Sequence, residues 1–236
     1  KGGSSWEECV ILAKAIEAAG ASIINTGIGW HEARIPTIAT SVPRAGFAWV
    51  TERMKGEVGI PLCTTNRINM PHVAERVLVD QQADMVSMAR PFLADPDFVL
   101  KAMEGRSDEI NTCIGCNQAC LDHTFKGITA SCLVNPESCH EEEFEGTEGK
   151  VGEGRAMKIA VVGAGPAGLA FSTTAARRGH EVTVFEQHGE IGGQFNMAKV
   201  IPGKEEFYET IRYYNSMIKK TGVDLRLGMR ASEAAL

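Results

Sequence analysis

Three thiols within eight residues, Cys113, Cys116 and Cys120, with a fourth at Cys132, are the densest set of reactive side chains in the sequence. A thiolate is a soft anionic ligand, and four of them suit either a tetrahedral zinc or an iron–sulfur cluster. Structural zinc sites more often pair two separated CxxC hooks. Here the CxxC runs on through a three-residue gap to a third cysteine, and the fourth stands alone. That spacing fits a wider, cubane-shaped target better than a single ion. Four buried and unliganded cysteines would be the plainer reading, but so dense a set of nucleophiles has little packing purpose. The total of 7 cysteines is odd, which suits metal ligation in a reducing compartment better than a disulfide framework. Cys9 and Cys63 fall on a helix face and a strand and read as core residues. Cys139, beside His140, borders an acidic stretch and is set aside as a ligand.

A second constellation is Gly163, Ala164, Gly165 and Gly168, a GxGxxG turn between a strand beginning near Lys158 and a helix reaching Arg177. Glycines there let the backbone approach a pyrophosphate, and the helix N-terminus offers it unpaired N–H groups and a positive dipole end. A lone GxGxxG is a weak signal and is equally a tight βα turn without a ligand. This one has the required context, because a second strand, Val182 to Phe185, ends in Glu186, an acid 23 residues after Gly163 that can bind ribose hydroxyls. Gly193 and Gln194, just after that strand, resemble the segment that FAD-binding reductases with two dinucleotide domains carry there, which favours FAD.

Two arginines and a histidine complete the set. If the first three strands are the sixth, seventh and eighth of a (β/α)8 barrel, the loops after the last two hold Thr65, Asn66 and Arg67, and Ala89, Arg90 and Pro91. Phosphate is commonly held by these loops in such barrels, so two guanidinium groups with neighbouring N–H groups would make a flavin phosphate site. Ordinary surface salt bridges are the bland alternative. His31 follows the first strand in a glycine-rich loop that would bring its imidazole over the barrel mouth, to hydrogen-bond a carbonyl or a proton donor. A single loop histidine is, on its own, more often merely solvated.

The elements that must position these residues alternate between helix and strand. Ser5 and Glu8 form a capping-box pattern, Cys9, Leu12, Ile16 and Ala19 recur at helical spacing, and Gly20 stands at the C-terminal cap. The pattern predicts a strand at 22–26, a helix at 45–55, a strand at 61–65, a helix opened by Asn69 and Pro71, a strand at 85–88, and a helix from Asp95 to near Gly105. The fold class is therefore α/β: the C-terminal part of a (β/α)8 TIM barrel over 1–106, a cluster segment over 107–140, an acidic linker over 141–156, and the start of a Rossmann-like FAD/NAD(P)-binding domain over 157–236. In that last part a helix carries Phe207, Ile211, Tyr214 and Ile218 on one face, before a strand at 223–227. Three βα units alone leave bare sheet edges, so the chain reads as an internal fragment that does not fold stably alone.

The 236 residues are 44% apolar, enough to fill a buried core, and carry a net charge of −6. That charge gives no attractive field for nucleic acid or an anionic membrane. No apolar run approaches the roughly 20 residues that span a bilayer, and the first residues lack the apolar stretch of a signal peptide. A cytoplasmic protein handling a small molecule is the expectation.

Taken together, GIGWHEAR (27–34), TTNRIN (64–69), MARPFLADP (88–96), NTCIGCNQACLD (111–122), SCLVNP (131–136), VVGAGPAGL (161–169) and IGGQFNMA (191–198) resemble the bacterial NADPH-dependent 2,4-dienoyl-CoA reductase family, which is related to old yellow enzyme. The resemblance implies that Cys113, Cys116, Cys120 and Cys132 hold a 4Fe-4S cluster. It implies that Arg67, Ala89 and Arg90 contact FMN, and that Ala164, Glu186 and Gln194 contact FAD. His31 would match the family's active-site histidine, and Arg34 and Ile35 would touch an acyl-CoA substrate. In that family electrons pass from NADPH to FAD, singly through the cluster to FMN, and as hydride to the dienoyl thioester, while a tyrosine aided by the histidine supplies the proton. That tyrosine and the earlier barrel strands would precede Lys1, and the nicotinamide-binding half would follow Leu236. A relative with the same plan acting on an enoate, a steroid or an amine is the nearest alternative. An electron-transfer module without chemistry of its own is an alternative of another class.

Overall fold

The first helix starts where Ser5 and Glu8 satisfy each other. The Glu8 N–H donates to the Ser5 hydroxyl at 3.2 Å, and the Ser5 N–H donates to the Glu8 carboxylate at 2.7 Å. Two amides that a helix start leaves without partners are thereby paired, and α1 runs over Trp6–Ala18. It ends at Gly20, whose φ of +96° lets its own N–H reach the Glu17 carbonyl and the Ala21 N–H reach that of Ile16. The computed structural model describes residues 3–28, 33–145, 149–152 and 154–233. They divide into two units, 1–92 and 93–236.

After α1 the first unit continues with β1 (Ile24–Thr26), α2 (Ala48–Met54), β2 (Leu62–Thr64), α3 (Pro71–Val79), β3 (Met85–Val86) and α4 (Arg90–Ala94), which crosses the division. The strands are parallel in the order β1-β2-β3, with Ile24 opposite Leu62 and Cys63 opposite Met85. All of β2 is buried, as a middle parallel strand covered on both faces should be. Trp6, Val10 and Ile24 pack on a core of Ala13, Met54 and Leu62.

Three expectations shift here. Met70, not Asn69, precedes α3, without a side-chain cap; Pro71 takes the first helical position, where its missing N–H costs nothing. Arg90 opens α4 instead of lying in a loop. The helix expected from Asp95 begins at Phe98, because the Asp95 carboxylate is turned to other donors: Lys101 Nζ and the N–H groups of Asp97 and Asn111.

The second unit holds α5 (Phe98–Met103), a 3-10 turn at Ser107–Glu109, α6 (Leu121–Phe125), α7 (Glu141–Phe144), β4 (Lys158–Val162), α8 (Pro166–Arg177), β5 (Glu181–Phe185), α9 (Phe195–Ala198), a second 3-10 turn at Glu205–Phe207, α10 (Tyr208–Thr221) and β6 (Asp224–Arg226). The last three strands are parallel in the order β4-β5-β6. Leu169, Val182, Val184, Ile191 and Ile218 form their core, with Ile211 and Tyr214 of α10 packed against it, the face that the helical spacing marked out. The acidic stretch is not featureless: α7 lies within it, and at its far end the Val151 N–H donates to the Arg178 carbonyl at 2.8 Å, just past α8. Among the described residues no helix is long and apolar enough to cross a membrane.

Candidate functional site

The dinucleotide turn is built by backbone and glycine. Gly163 takes φ +99°, a left-handed conformation that a side chain would strain. A Cβ on Gly168 would sit 2.0 Å from the Gly163 carbonyl oxygen, so the close packing of α8 on the turn requires glycine. A Cβ on Gly165, the residue before α8, would meet nothing within 4 Å. Gly165 instead borders a cavity of about 900 Å³ that Gly163, Glu186, Gly193, Gln194 and Asn196 also line. The twelve residues of α8 aim their N-terminal end at it.

Glu186 is buried at the end of β5, 6% exposed. Its Oε2 accepts the Ala164 N–H at 2.8 Å and its Oε1 the His188 N–H at 2.9 Å. Burial alone would push this carboxyl up. The His188 and Ala164 amides outweigh it and hold the group below the usual glutamate range, ionised at neutral pH. Each carboxylate oxygen can accept more than one hydrogen bond, so the residue can still take ribose hydroxyls. Ala164 is fully buried, with its carbonyl accepting the Gly192 N–H at 2.7 Å. It thus ties the first glycine turn to the second. Gln187, His188, Glu190 and Met197 also line the cavity. They carried no signal in the sequence beyond following the acid or the second glycine turn.

The four cysteines lie on one loop and a short return. Gly115 and Asn117 adopt φ of +65° and +61°, which coils the backbone tightly between Cys113 and Cys120, while Ile110 and Ile114 anchor it in the interior. The Ser131 N–H donates to the Ala119 carbonyl at 2.7 Å, and Cys132 bridges to Asn135. All four thiols are half-buried and none is in a disulfide. Burial pushes the Cys132 thiol up to about 11, with Cys113 and Cys116 adding to the rise, and it pushes Cys116 up in the same way, with Cys113 and Cys120 adding. The thiols therefore feel one another. Backbone N–H groups of Gln118, Val134 and Asn135 point the other way, favouring thiolate. Cys116 and Cys132 therefore favour the neutral thiol unless a positive centre compensates them. Among the described residues no three His, Cys, Asp or Glu side chains close on a point where a single metal ion could sit.

In the first unit, Asn66 and Arg67 follow β2 with φ of +77° and +57°, two successive left-handed residues at a cost of about 1–2 kcal/mol each. Strain of this kind persists where the surroundings enforce it and gathers at functional sites. Arg67 is 4% exposed, and its Nε donates to the Val42 carbonyl at 2.8 Å. Arg90 Nη1 donates to the Ile38 carbonyl at 2.9 Å. Both arginines therefore reach from neighbouring strand ends into the segment that follows β1. The hydroxyls of Thr40 in that segment and Thr64 at the end of β2 are buried and have no hydrogen-bond partner among the described residues, which a bound polar group would remedy. Ala89 is exposed beside Arg90, and Arg34 and Ile35 are exposed after β1. His31 lies outside the described residues.

Residues 1–109 match the profile of the NADH:flavin oxidoreductase / NADH oxidase family, and residues 161–222 that of the NAD(P)-binding Rossmann-like domain. A metal reductase of Desulforamulus reducens is 40% identical over 225 residues, which is 95% of this chain and 33% of that protein. A cinnamate reductase of Clostridium sporogenes is 28% identical over 232 residues, 98% of this chain and 34% of that protein. The structure of a 2-naphthoyl-CoA reductase with 2-naphthoyl-CoA superposes at a TM-score of 0.92 with 33% identity, covering 99% of this chain and 36% of that one. The chain thus spans about a third of the length of these relatives.

Proposed function

We infer that this chain, of the NADH:flavin oxidoreductase / NADH oxidase family over residues 1–109 with a NAD(P)-binding Rossmann-like domain over 161–222, is part of an NADPH-dependent reductase of 2,4-dienoyl-CoA thioesters. The observation that carries the reading is the four-cysteine loop and the dinucleotide turn built into a single unit. The cluster reading is supported by the spacing of four half-buried thiols on one loop and its short return, none of them in a disulfide. When bound, the two flavins supply hydride chemistry and the cluster supplies one-electron transfer between them.

The chain's own residues bind and orient. Cys113, Cys116, Cys120 and Cys132 hold the cluster. The glycine turn presents backbone N–H groups to the FAD pyrophosphate, Glu186 takes a ribose, and Gln194 borders the same cavity. Arg67 and Arg90, with Asn66 and Ala89 beside them, hold the FMN phosphate. By the family resemblance His31 is the active-site histidine, and Arg34 and Ile35 meet the acyl-CoA. A CoA-thioester substrate is supported by the similarity to the 2-naphthoyl-CoA reductase, and dienoyl specificity by the sequence motifs quoted above.

Full-length protein should contain iron, FMN and FAD, and should oxidise NADPH when given a 2,4-dienoyl-CoA. No turnover with any dienoyl chain length would remove the substrate assignment, and zinc without iron would remove the cluster. A second reading keeps the cofactors and changes the acceptor, which the similarities to a cinnamate reductase and a metal reductase favour. Faster turnover of free cinnamate or of a ferric chelate than of the thioester would select it.

A further inference from the structure

The geometry points to Arg212 of α10 as the positioning residue that fixes the cysteine loop against the dinucleotide turn. This rests on the reading that the two sites hold a 4Fe-4S cluster and FAD. Its basis is a pair of adjacent residues that face in different directions. Ile211 presses on the second glycine turn: a Cβ on Gly192 would lie 2.7 Å from Ile211 Cδ1. Arg212, one residue on, reaches the strand of chain that leads into the first cysteine. Its Nη1 donates to the Asp108 carbonyl at 2.6 Å, and its Nη2 donates to the Ile110 carbonyl at 2.6 Å and to the Thr112 hydroxyl at 3.0 Å. Cys113 follows directly. The guanidinium plane is set from behind, since its Nε donates to the carboxylate of Glu209, one turn earlier on α10.

The same segment is gripped elsewhere by groups that do not belong to the nucleotide-binding fold. Asp95, 2% exposed, accepts the Asn111 N–H, and Asn111 Nδ2 donates to the Val134 carbonyl near Cys132. Helix α10 reaches from the glycine turn to the cysteine segment through neighbouring residues, Ile211 and Arg212. Lys220, two turns further along, repeats the connection by pairing with Glu109. Electron tunnelling falls off exponentially with separation, so a device that fixes the spacing of two redox sites controls the rate between them. A lysine at 212 would keep the charge and lose the planar fork that spans two carbonyls and a hydroxyl.

The test uses the full-length holoenzyme with Arg212→Lys, Arg212→Met and Thr112→Val, read by stopped-flow absorbance after mixing with NADPH. Flavin reduction should proceed at the wild-type rate in all three. Bleaching of the iron–sulfur absorbance should slow in both Arg212 variants and slow less in Thr112→Val. Iron content and the spectrum of the dithionite-reduced cluster should be unchanged, while amide exchange over 108–113 should quicken. A lysine variant that transfers at the wild-type rate would overturn positioning in favour of charge alone, and an unchanged rate in loaded Lys and Thr112→Val proteins would do so even if Arg212→Met failed to fold. Wild-type protein without iron or FAD would overturn the cofactor reading, and this proposal with it.

Discussion

Gly163, Gly165 and Gly168 stand in the turn for three different reasons. The first needs a left-handed backbone, the last has a carbonyl oxygen where its Cβ would be, and the middle one faces the open cavity. Only the middle position can be filled without disturbing the fold, so Gly165→Glu tests ligand binding and not stability. It would place a carboxylate where a pyrophosphate is expected, at the N-terminal end of α8. FAD content should fall at least about tenfold, the measure of roughly 1.4 kcal/mol or more of lost binding, with iron per chain unchanged. Full FAD retention in the purified variant would refute the assignment. The glycine spacing and the acid at 186 were readable from the sequence because strand, turn and helix are all local. That Glu186 is ionised through two particular amides was not, because one of them, at Ala164, lies 22 residues away.

At the level of elements, α10 was legible as an amphipathic helix from its apolar spacing, and the opposite side of that helix was not. Its polar partners, Glu109, Asp108 and Thr112, belong to a segment about a hundred residues earlier. Glu109 accepts from both Lys220 and Arg106. Burial would raise its carboxyl, but these two cations outweigh it and hold it below the ordinary glutamate value. A group whose folded value is depressed stabilises the fold above its unfolded value, about 4.3, and that contribution is lost as pH falls through the folded value. Lys220→Met should therefore lower stability at pH 7 by no more than about 1 kcal/mol, since Lys220 is partly solvated. The deficit should shrink below about pH 4 and vanish once Glu109 is protonated. Denaturant unfolding of the two proteins from pH 7 to pH 3 measures this, and a deficit that stays constant over the range would exclude the ion pair as its source.

For the whole molecule, each unit has its own core, and each leaves large apolar side chains in water. Ile11 is 68% and Val79 75% exposed in the first, Met103 80% and Val162 66% in the second. Two short parallel sheets with open edges are unusual in isolation, because parallel sheets are normally covered on both faces. The 236-residue chain is therefore expected to bind a hydrophobic dye and to unfold gradually. A single sharp calorimetric transition of the 236-residue chain would contradict this.

Local signals determined the kinds of element, through the capping box at Ser5, the alternation of strand and helix and the glycine turn, while the cysteine spacing pointed to the chemistry proposed. Each is encoded within a few residues, where backbone hydrogen bonding and side-chain periodicity act directly. The partners of the charged groups belonged to tertiary structure. Arg67 and Arg90 looked like phosphate ligands and in the fold also clasp carbonyls at Val42 and Ile38, 25 and 52 residues away. Arg212 looked like any charged residue on a helix, and it became a brace only when folding brought the Asp108 and Ile110 carbonyls within reach of its fork. A hydrogen-bond acceptor on the backbone has no residue type, so no sequence pattern can announce it.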